Sequence, residues 1–342
     1  MVVTVGEAMI AMVPLASGPL RHVHAFEKHV GGAEFNVAVA LARLGTPSRW
    51  VSRVGDDEFG VDVLRTARAE GVDVSRVRID PQAPTGLYFR EYGGPAGVRV
   101  FYYRRGSAAS RLSPEDLEGA LEGARLLHLS GITAALSEGA RAAALHAVTL
   151  AKRAGVPVAF DPNVRRKLLA PGQVVPVLRP LAESADVLLA GEEELEVLFG
   201  ADRPLAVDPS GVAAPAAEDT REARQAHLRP LLERARQAGP RVVACKLGPD
   251  GAVGLSDAGF VAQRALPVPD MVDAIGAGDG FDAGFLHVWL GGGDLAEALR
   301  WGVVVGACAC AVRGDIEGYP DAARAEALVA RLAAEPAADV ER

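Results

Sequence analysis

From residue 126 to residue 251 short apolar strands alternate with helix-forming stretches, and this rhythm limits the possible folds more than any other feature of the chain. Leu126–Ser130, Val156–Phe160, Val187–Ala190 and Arg241–Cys245 read as strands. Ser137 and Glu138 open an alanine-rich helix that stops at Gly155, and Glu192-Glu193-Glu194 form an acidic helix start. Strands alternating with helices build a mostly parallel sheet covered on both faces, an α/β three-layer sandwich. Ligands of such sheets bind beyond the carboxyl ends of the strands. A site is therefore expected at the loop Asp161-Pro162-Asn163-Val164-Arg165, the acidic helix start and the turn Gly248-Pro249-Asp250-Gly251.

Two stretches break the rhythm. Gly86–Tyr92 and Val98–Arg105 are aromatic and β-branched, and Gly93–Gly97 joins them as in a hairpin. Val13–Val30 is weakly strand-like. Together they form either a small β-sheet lid or a pair of edge strands on the main sheet. The lid reading divides the chain into a body over 1–12, 31–84 and 106–320 and a lid over 13–30 and 85–105. It leaves a surface insertion at 201–230, partly helical from Thr220 and expected to carry no chemistry. A C-terminal helix and tail over 321–342 is expected to fray near Pro336.

Composition removes several classes of function. Of 342 residues, 49% are hydrophobic and 23% charged, the balance of a soluble, well-packed protein. The net charge is −8 and no basic stripe is present, which argues against a nucleic-acid partner. Cys245, Cys308 and Cys310 are too few for a disulfide framework and lack zinc-site spacing, which suits a reducing, cytoplasmic setting. The first residues, Met1 to Glu7, look like a strand rather than a signal peptide. The longest apolar run, Val303–Val312, is too short to span a bilayer, so no membrane partner is expected.

The sharpest local signal is Asp273-Ala274-Ile275-Gly276-Ala277-Gly278-Asp279, where a glycine-rich turn runs straight into an apolar helix. The first amides of such a helix have no partner within it, and the helix dipole favours an anion there. Asp279 reads two ways on spacing alone. It is a favoured helix cap, or it is a base that takes a proton from a hydroxyl attacking the bound phosphate. A second segment, Gly31-Gly32-Ala33-Glu34-Phe35-Asn36, lets a small polar ligand approach the backbone, and Asn36 can bond a sugar hydroxyl. The P-loop, dinucleotide-binding, zinc-protease and nucleophile-elbow motifs are missing from the sequence.

Taken together, the two segments resemble the two signature patterns of the ribokinase-like (PfkB) carbohydrate kinase family. The first fits from Gly31 to Gly55 and the second from Gly276 to Leu286, with a departure at Ala274. The resemblance covers roughly residues 1–320 and implies a ribokinase-like sandwich with a β-sheet lid. Within the family the likeness is greatest to kinases of the sugar acid 2-keto-3-deoxygluconate. It is carried by Gly6-Glu7, Thr85–Tyr88, Phe101–Ala108, Asp161–Arg165 and Arg313–Gly318. This likeness implies that Gly32, Asn36, Tyr88, Tyr102, Tyr103, Arg104 and Arg165 line the sugar-acid site, with Asp315 near the substrate or closing the site. It implies that Asp279 is the catalytic base, supported by the backbone of Gly276, Ala277 and Gly278. ATP would be held by Asn163, Arg165, Lys246, Gly248, Gly251 and Gly276–Gly278, with Glu194 supporting Mg2+ through water. Two positions depart from relatives, Gly191 at the acidic helix start and Val303 near the adenine.

The physical reading of these residues is compatible. A sugar acid brings a carboxylate, and Arg104 and Arg165, on different elements, can converge on it or remain solvated surface residues. Strand alternation puts Tyr102 and Tyr103 on opposite faces, so only one of them can meet the substrate. The density of aromatics in an exposed hairpin predicts a homodimer, or a dimer of dimers, through the lid, with Tyr92 and Phe101 among the contacts. The nearest rival activity is a neutral-sugar kinase such as a fructokinase. A non-catalytic sugar-acid sensor on the same fold is the rival from another class, although an intact Asp279 with its glycine turn favours the enzyme.

Overall fold

A computed structural model describes residues 1–94, 97–200 and 221–334. In chain order the strands are β1 (Val2–Val5), β2 (Met9–Pro14), β3 (Phe26–Gly31), β4 (Ser48–Gly55), β5 (Val77–Asp80), β6 (Leu87–Gly94), β7 (Gly97–Tyr103), β8 (Leu126–Ser130), β9 (Val158–Asp161), β10 (Val187–Gly191), β11 (Val242–Lys246), β12 (Ala252–Ser256) and β13 (Gly259–Gln263). The helices are α1 (Ala33–Arg43), α2 (Glu58–Ala69), α3 (Gly131–Leu136), α4 (Glu138–Ala154), α5 (Pro171–Ser184), α6 (Glu192–Phe199), α7 (Arg221–Ala238), α8 (Ala277–Gly291), α9 (Leu295–Ala309) and α10 (Ala322–Ala334).

The larger sheet runs β13-β12-β11-β10-β9-β8-β1-β4-β5, parallel from β11 to β5 and antiparallel at the β12–β13 edge. Its inner strands β1, β8, β9, β10 and β11 are buried nearly throughout, as a sheet sandwiched between helices requires. Along β10, Val187 and Leu189 join one core while Leu188 and Ala190 join the other. The first core is closed by α1, α2, α8, α9 and α10, and the second by α4, α5, α6 and α7. The local signals act as expected at α4. Ser137 accepts from the Ala140 amide at the N-terminus, and Gly155 ends the helix at φ 66°.

The chain differs from the expected division in two places. Residues 221–230 are the first part of α7, whose Leu228, Leu231 and Leu232 are buried in the second core, so they belong to the helical layer rather than to a surface insertion. A period set by a few leucines among many charged residues hid this role. Residues 201–220 lie outside the described residues, as does the fraying expected near Pro336. The lid also begins earlier than expected, at Met9.

The smaller sheet runs β3-β2-β6-β7, and the aromatic hairpin pairs with β2 rather than with the large sheet. Its inner face gathers Met9, Ala11, Val13 and Tyr88, with Tyr92, Val100 and Tyr102 packed against them. Its outer face carries the aromatic row Phe26–Phe89–Tyr103, with ring centres 5.3 and 5.7 Å apart. Phe101, paired with Phe89, lies under the Arg99 and Lys167 cations, and the Tyr92 hydroxyl turns inward to Asp273.

Helix α8 carries the glycine-rich turn and is held very close to α9. A Cβ on Gly284 would stand 2.5 Å from the Trp301 carbonyl oxygen. This backbone cannot be displaced as a side-chain end can. Gly284→Ala should therefore lower the free energy of unfolding by about 1–3 kcal/mol through overpacking. Urea titration of both proteins checks this, and an unchanged midpoint would mean that the two helices have slack to part.

Candidate active site

The carboxyl ends of the parallel strands and the inner face of the lid enclose a cleft of about 1040 Å³. The body contributes Glu7 after β1, Asp161 at the end of β9 with Asn163 beyond it, Gly191 at the end of β10, and Lys246 at the end of β11 with Leu247 beyond it. The lid contributes Met9, Tyr88, Val100, Tyr102 and Arg104. The start of α8 supplies Gly276, Gly278 and Asp279.

Gly276 is the N-cap of α8 at φ 81°, a conformation that favours glycine, and no side chain caps this end. Its Cβ would also stand 2.4 Å from the Asp315 carbonyl oxygen. The Ala277 amide donates to the Ala274 carbonyl at 3.3 Å, while the Gly278 and Asp279 amides have no backbone partner among the described residues, the arrangement that binds an anion. Asp279 does not cap the helix, because it lies three residues inside it. Its carboxylate instead accepts from Asn36 Nδ2 at 2.7 Å and from Asn163 Nδ2 at 3.5 Å. Burial pushes the Asp279 carboxyl up to about 7; the Asn36 bond opposes this, the Asp161 charge adds to it, and Arg165 and Lys246 oppose it. A carboxyl with a pKa near neutrality is suited to proton transfer.

Lys246 stands at the end of β11, with Nζ 2.9 Å from Asp161 and 3.1 Å from Asp282. Burial alone would weaken its charge, but Asp161 and Asp282 hold the ammonium above its ordinary range. The same ammonium holds Asp161 low against burial. Burial pushes Asp282 well up, and its buried Oδ2 has no hydrogen-bond partner among the described residues. Glu194, in the first turn of α6, accepts from the Gly191 amide at 2.8 Å and the Val164 amide at 2.7 Å. Burial and then the Asp161 charge raise its carboxyl. Asn163 adopts φ 39°, held by its amide donating to Asp161 at 3.0 Å.

On the other side, Gly32 caps α1, where a Cβ would meet the Glu7 carbonyl oxygen at 2.1 Å. Asn36 sits between the two acids, also reaching Asp315 at 3.4 Å. Asp315 accepts from the Tyr88 hydroxyl at 2.8 Å and from Arg90. Arg104 is buried over the Tyr102 ring and forms an ion pair with Glu7. Arg165 is exposed at the cleft and has no ion-pair partner among the described residues. The arginines therefore share the cleft, but only Arg165 has its charge uncommitted.

Five expected positions fall outside the cleft lining. Tyr103 is on the outer face of the lid, as alternation against Tyr102 requires. Gly248 and Gly251 shape the turn after Leu247, and Val303 is packed in the first core. Ala277 contributes backbone in the first turn of α8 and is not itself at the cleft. The residues that had gone unread are Glu7, Arg90, Arg224 and Asp282. Arg224, in α7, lines the cleft and pairs with Glu192 at 2.6 Å, so the 201–230 stretch does contribute a charged group. Asp282 could have been found one turn beyond Asp279. Arg90 shares the inner-face register of Tyr88 on β6.

A comparison with known proteins sets this site in a family. The chain is 36% identical over 336 residues to the 2-dehydro-3-deoxygluconokinase of Thermoproteus tenax, covering 96% of this chain and 94% of that one. The structure of a 2-dehydro-3-deoxygluconokinase from Thermotoga maritima superposes with a TM-score of 0.83 at 26% identity, covering 96% of this chain and 99% of that one. A candidate ribokinase II from E. coli, solved with ATP and Mg2+, has a TM-score of 0.81 at 26% identity over 96% and 99% of the two chains. The model of the pfkB family of carbohydrate kinases matches residues 1–322, and the chain belongs to that family.

Proposed function

We propose that this protein transfers the γ-phosphoryl group of ATP to the terminal hydroxyl of a sugar acid, converting 2-dehydro-3-deoxygluconate to its 6-phosphate. The carrying observation is Arg165, a cation unpaired among the described residues that shares one cleft with Asp279. The names of the relatives described above support the same substrate class. The lid side, with Gly32, Asn36, Tyr88, Tyr102, Arg104, Arg165 and Asp315, takes the sugar acid. The side formed by Asn163, Lys246, Leu247 and Gly276–Gly278 takes the nucleotide phosphates.

Asp279 accepts the proton of the sugar hydroxyl. The hydroxyl oxygen then bonds to the γ-phosphorus as the bond to the bridging oxygen breaks, and that electron pair leaves with ADP. First-turn amides of α8 and the Lys246 ammonium face the charge on the transferring group. Magnesium bound with the nucleotide neutralises part of the phosphate charge. Glu194 fits a role in holding water on that ion, since each of its oxygens already accepts a backbone amide.

The lid supports a further part of this reading, that two copies pair through its outer face. Tyr103 is 65% exposed at the end of the Phe26–Phe89 row, an aromatic surface that water solvates poorly. The setting we propose is cytoplasmic. Cys245, Cys308 and Cys310 are all free thiols, and among the described residues no helix is long and apolar enough to cross a membrane.

Three outcomes check the proposal. With Asp279 as base, kcat/KM should climb as pH rises through about 7, because below that value the carboxyl is protonated and cannot accept the proton. Asp279→Asn should remove that limb and lower kcat by roughly 10²–10⁴. Turnover near wild type in Asp279→Asn would dismiss the base. Arg165→Ala should raise KM for 2-dehydro-3-deoxygluconate by roughly tenfold to a hundredfold, the value of one charge-assisted contact, and leave fructose phosphorylation little changed. Equal losses for both sugars would move the assignment to a neutral-sugar kinase. In light scattering the protein should have the mass of a dimer or larger, and Tyr103→Asp should shift it towards the monomer; a wild-type mass that stays monomeric at all concentrations rejects the pairing.

A further inference from the structure

We propose that Arg90 is a positioning residue that ties lid strand β6 to the phosphate-binding turn, so that the turn keeps its working shape only while the lid is seated. This rests on reading the cleft as a phosphoryl-transfer site. Arg90 is fully buried and does not line the cleft, so it acts through its neighbours. Its Nη1 donates to Asp273 Oδ2 at 2.6 Å, and its Nη2 donates to Asp315 and to the Tyr88 hydroxyl, the latter at 3.3 Å.

Both residues abut the turn, Asp273 through its carboxylate and Asp315 through its main chain. Asp273 begins it, with its other oxygen accepting from the Ile275 amide at 3.1 Å just before Gly276. Asp315 backs it, with its carbonyl where a Cβ on Gly276 would be. The Tyr319 hydroxyl completes the support by donating to the Gly276 carbonyl at 2.7 Å. Two carboxylates beside an anion site would repel a phosphate if left uncompensated, and a buried charge that loses its partner is strongly disfavoured. The guanidinium of Arg90 answers both at once. Tyr92, two residues along the same face of β6, adds a second lid contact by donating to Asp273 at 2.8 Å. Seating β6 thus delivers the cation that orders both sides of Gly276. A planar fork can span two carboxylates where an ammonium meets only one fully.

The test compares wild type, Arg90→Ala and Arg90→Lys. Amide hydrogen exchange is followed in residues 271–280 and in α4, in the ligand-free protein, alongside kcat and KM. In Arg90→Ala, exchange should quicken in 271–280 and stay the same in α4. Its kcat should fall roughly a hundredfold, the scale of an approximately 1 Å misplacement, with KM for ATP within about a factor of three. Added guanidinium ion should restore part of kcat, which a lesion of folding alone would not allow. Arg90→Lys should be intermediate in both measurements, and it carries the test if the alanine variant does not fold. Unchanged exchange in 271–280, or kcat of the folded variant equal to wild type, overturns the proposal. The exchange measurement needs no substrate, so a wild-type protein that phosphorylates no sugar acid would refute the functional reading and leave this one to be decided on exchange alone.

Discussion

Everything in the cleft depends on how one ammonium, Lys246, is balanced against the acids around it. Asp161, Asp279, Asp282 and Glu194 all gather near a turn that must accept a phosphate, and four full negative charges there would expel it. Burial and mutual repulsion raise Asp282, Glu194 and Asp279, while Lys246 opposes the rise in each of them and holds Asp161 low. Lys246, the exposed Arg165 and the α8 amides that lack a backbone partner are the positive groups set against these acids. The arrangement also leaves Asp279 near its ionisation point, where a small change in its surroundings is enough to charge it. The burial that encloses the cleft is thus what brings Asp279 near neutrality.

This balance explains why the fold spends so many small residues on α8. The helix must bring its bare N-terminus within reach of Lys246 while packing against α9 and Tyr319. A Cβ on Gly280 would lie 2.8 Å from the Tyr319 ring, and one on Gly284 would meet the α9 backbone. Glycine at these positions is required by close approach, since both lie inside the helix where glycine otherwise destabilises. The helix gives up intrinsic stability, and tertiary packing over the first core restores it.

How legible this was depends on the range of each interaction. The alternation of strands and helices, the glycine turn and Asp279 are local patterns, and they were readable because backbone geometry is decided within a few residues. The opposition of Tyr102 and Tyr103 followed from the pleat. The Arg90 network was not readable, because its partners Asp273 and Asp315 lie 183 and 225 residues away along the chain. Nothing in a strand of mixed aromatic and charged residues marks one arginine as buried. The Arg104–Glu7 pair was hidden for the same reason, although each residue stood in a recognised stretch. In α7 the difficulty was composition, since a few leucines anchor a helix whose other residues look like solvated surface.

Asn36 shows how the two halves of the cleft are joined. Its amide nitrogen reaches Asp279 at 2.7 Å and Asp315 at 3.4 Å, while its oxygen accepts from the Gly32 amide at 3.2 Å. One short side chain therefore fixes the distance between the acid at the start of α8 and the acid bonded to the lid through Tyr88 and Arg90. Under the proposed function, a sugar entering from the lid side meets Asp315 and Asp279 at that separation. Asp315 is tied to the lid through Tyr88 and Arg90 and Asp279 to the body through Asn163, and Asn36 holds the two at that separation. The orientation on which proximity catalysis depends is in this way set by a hydrogen-bond chain running from Gly32 through Asn36, without a separate element to enforce it.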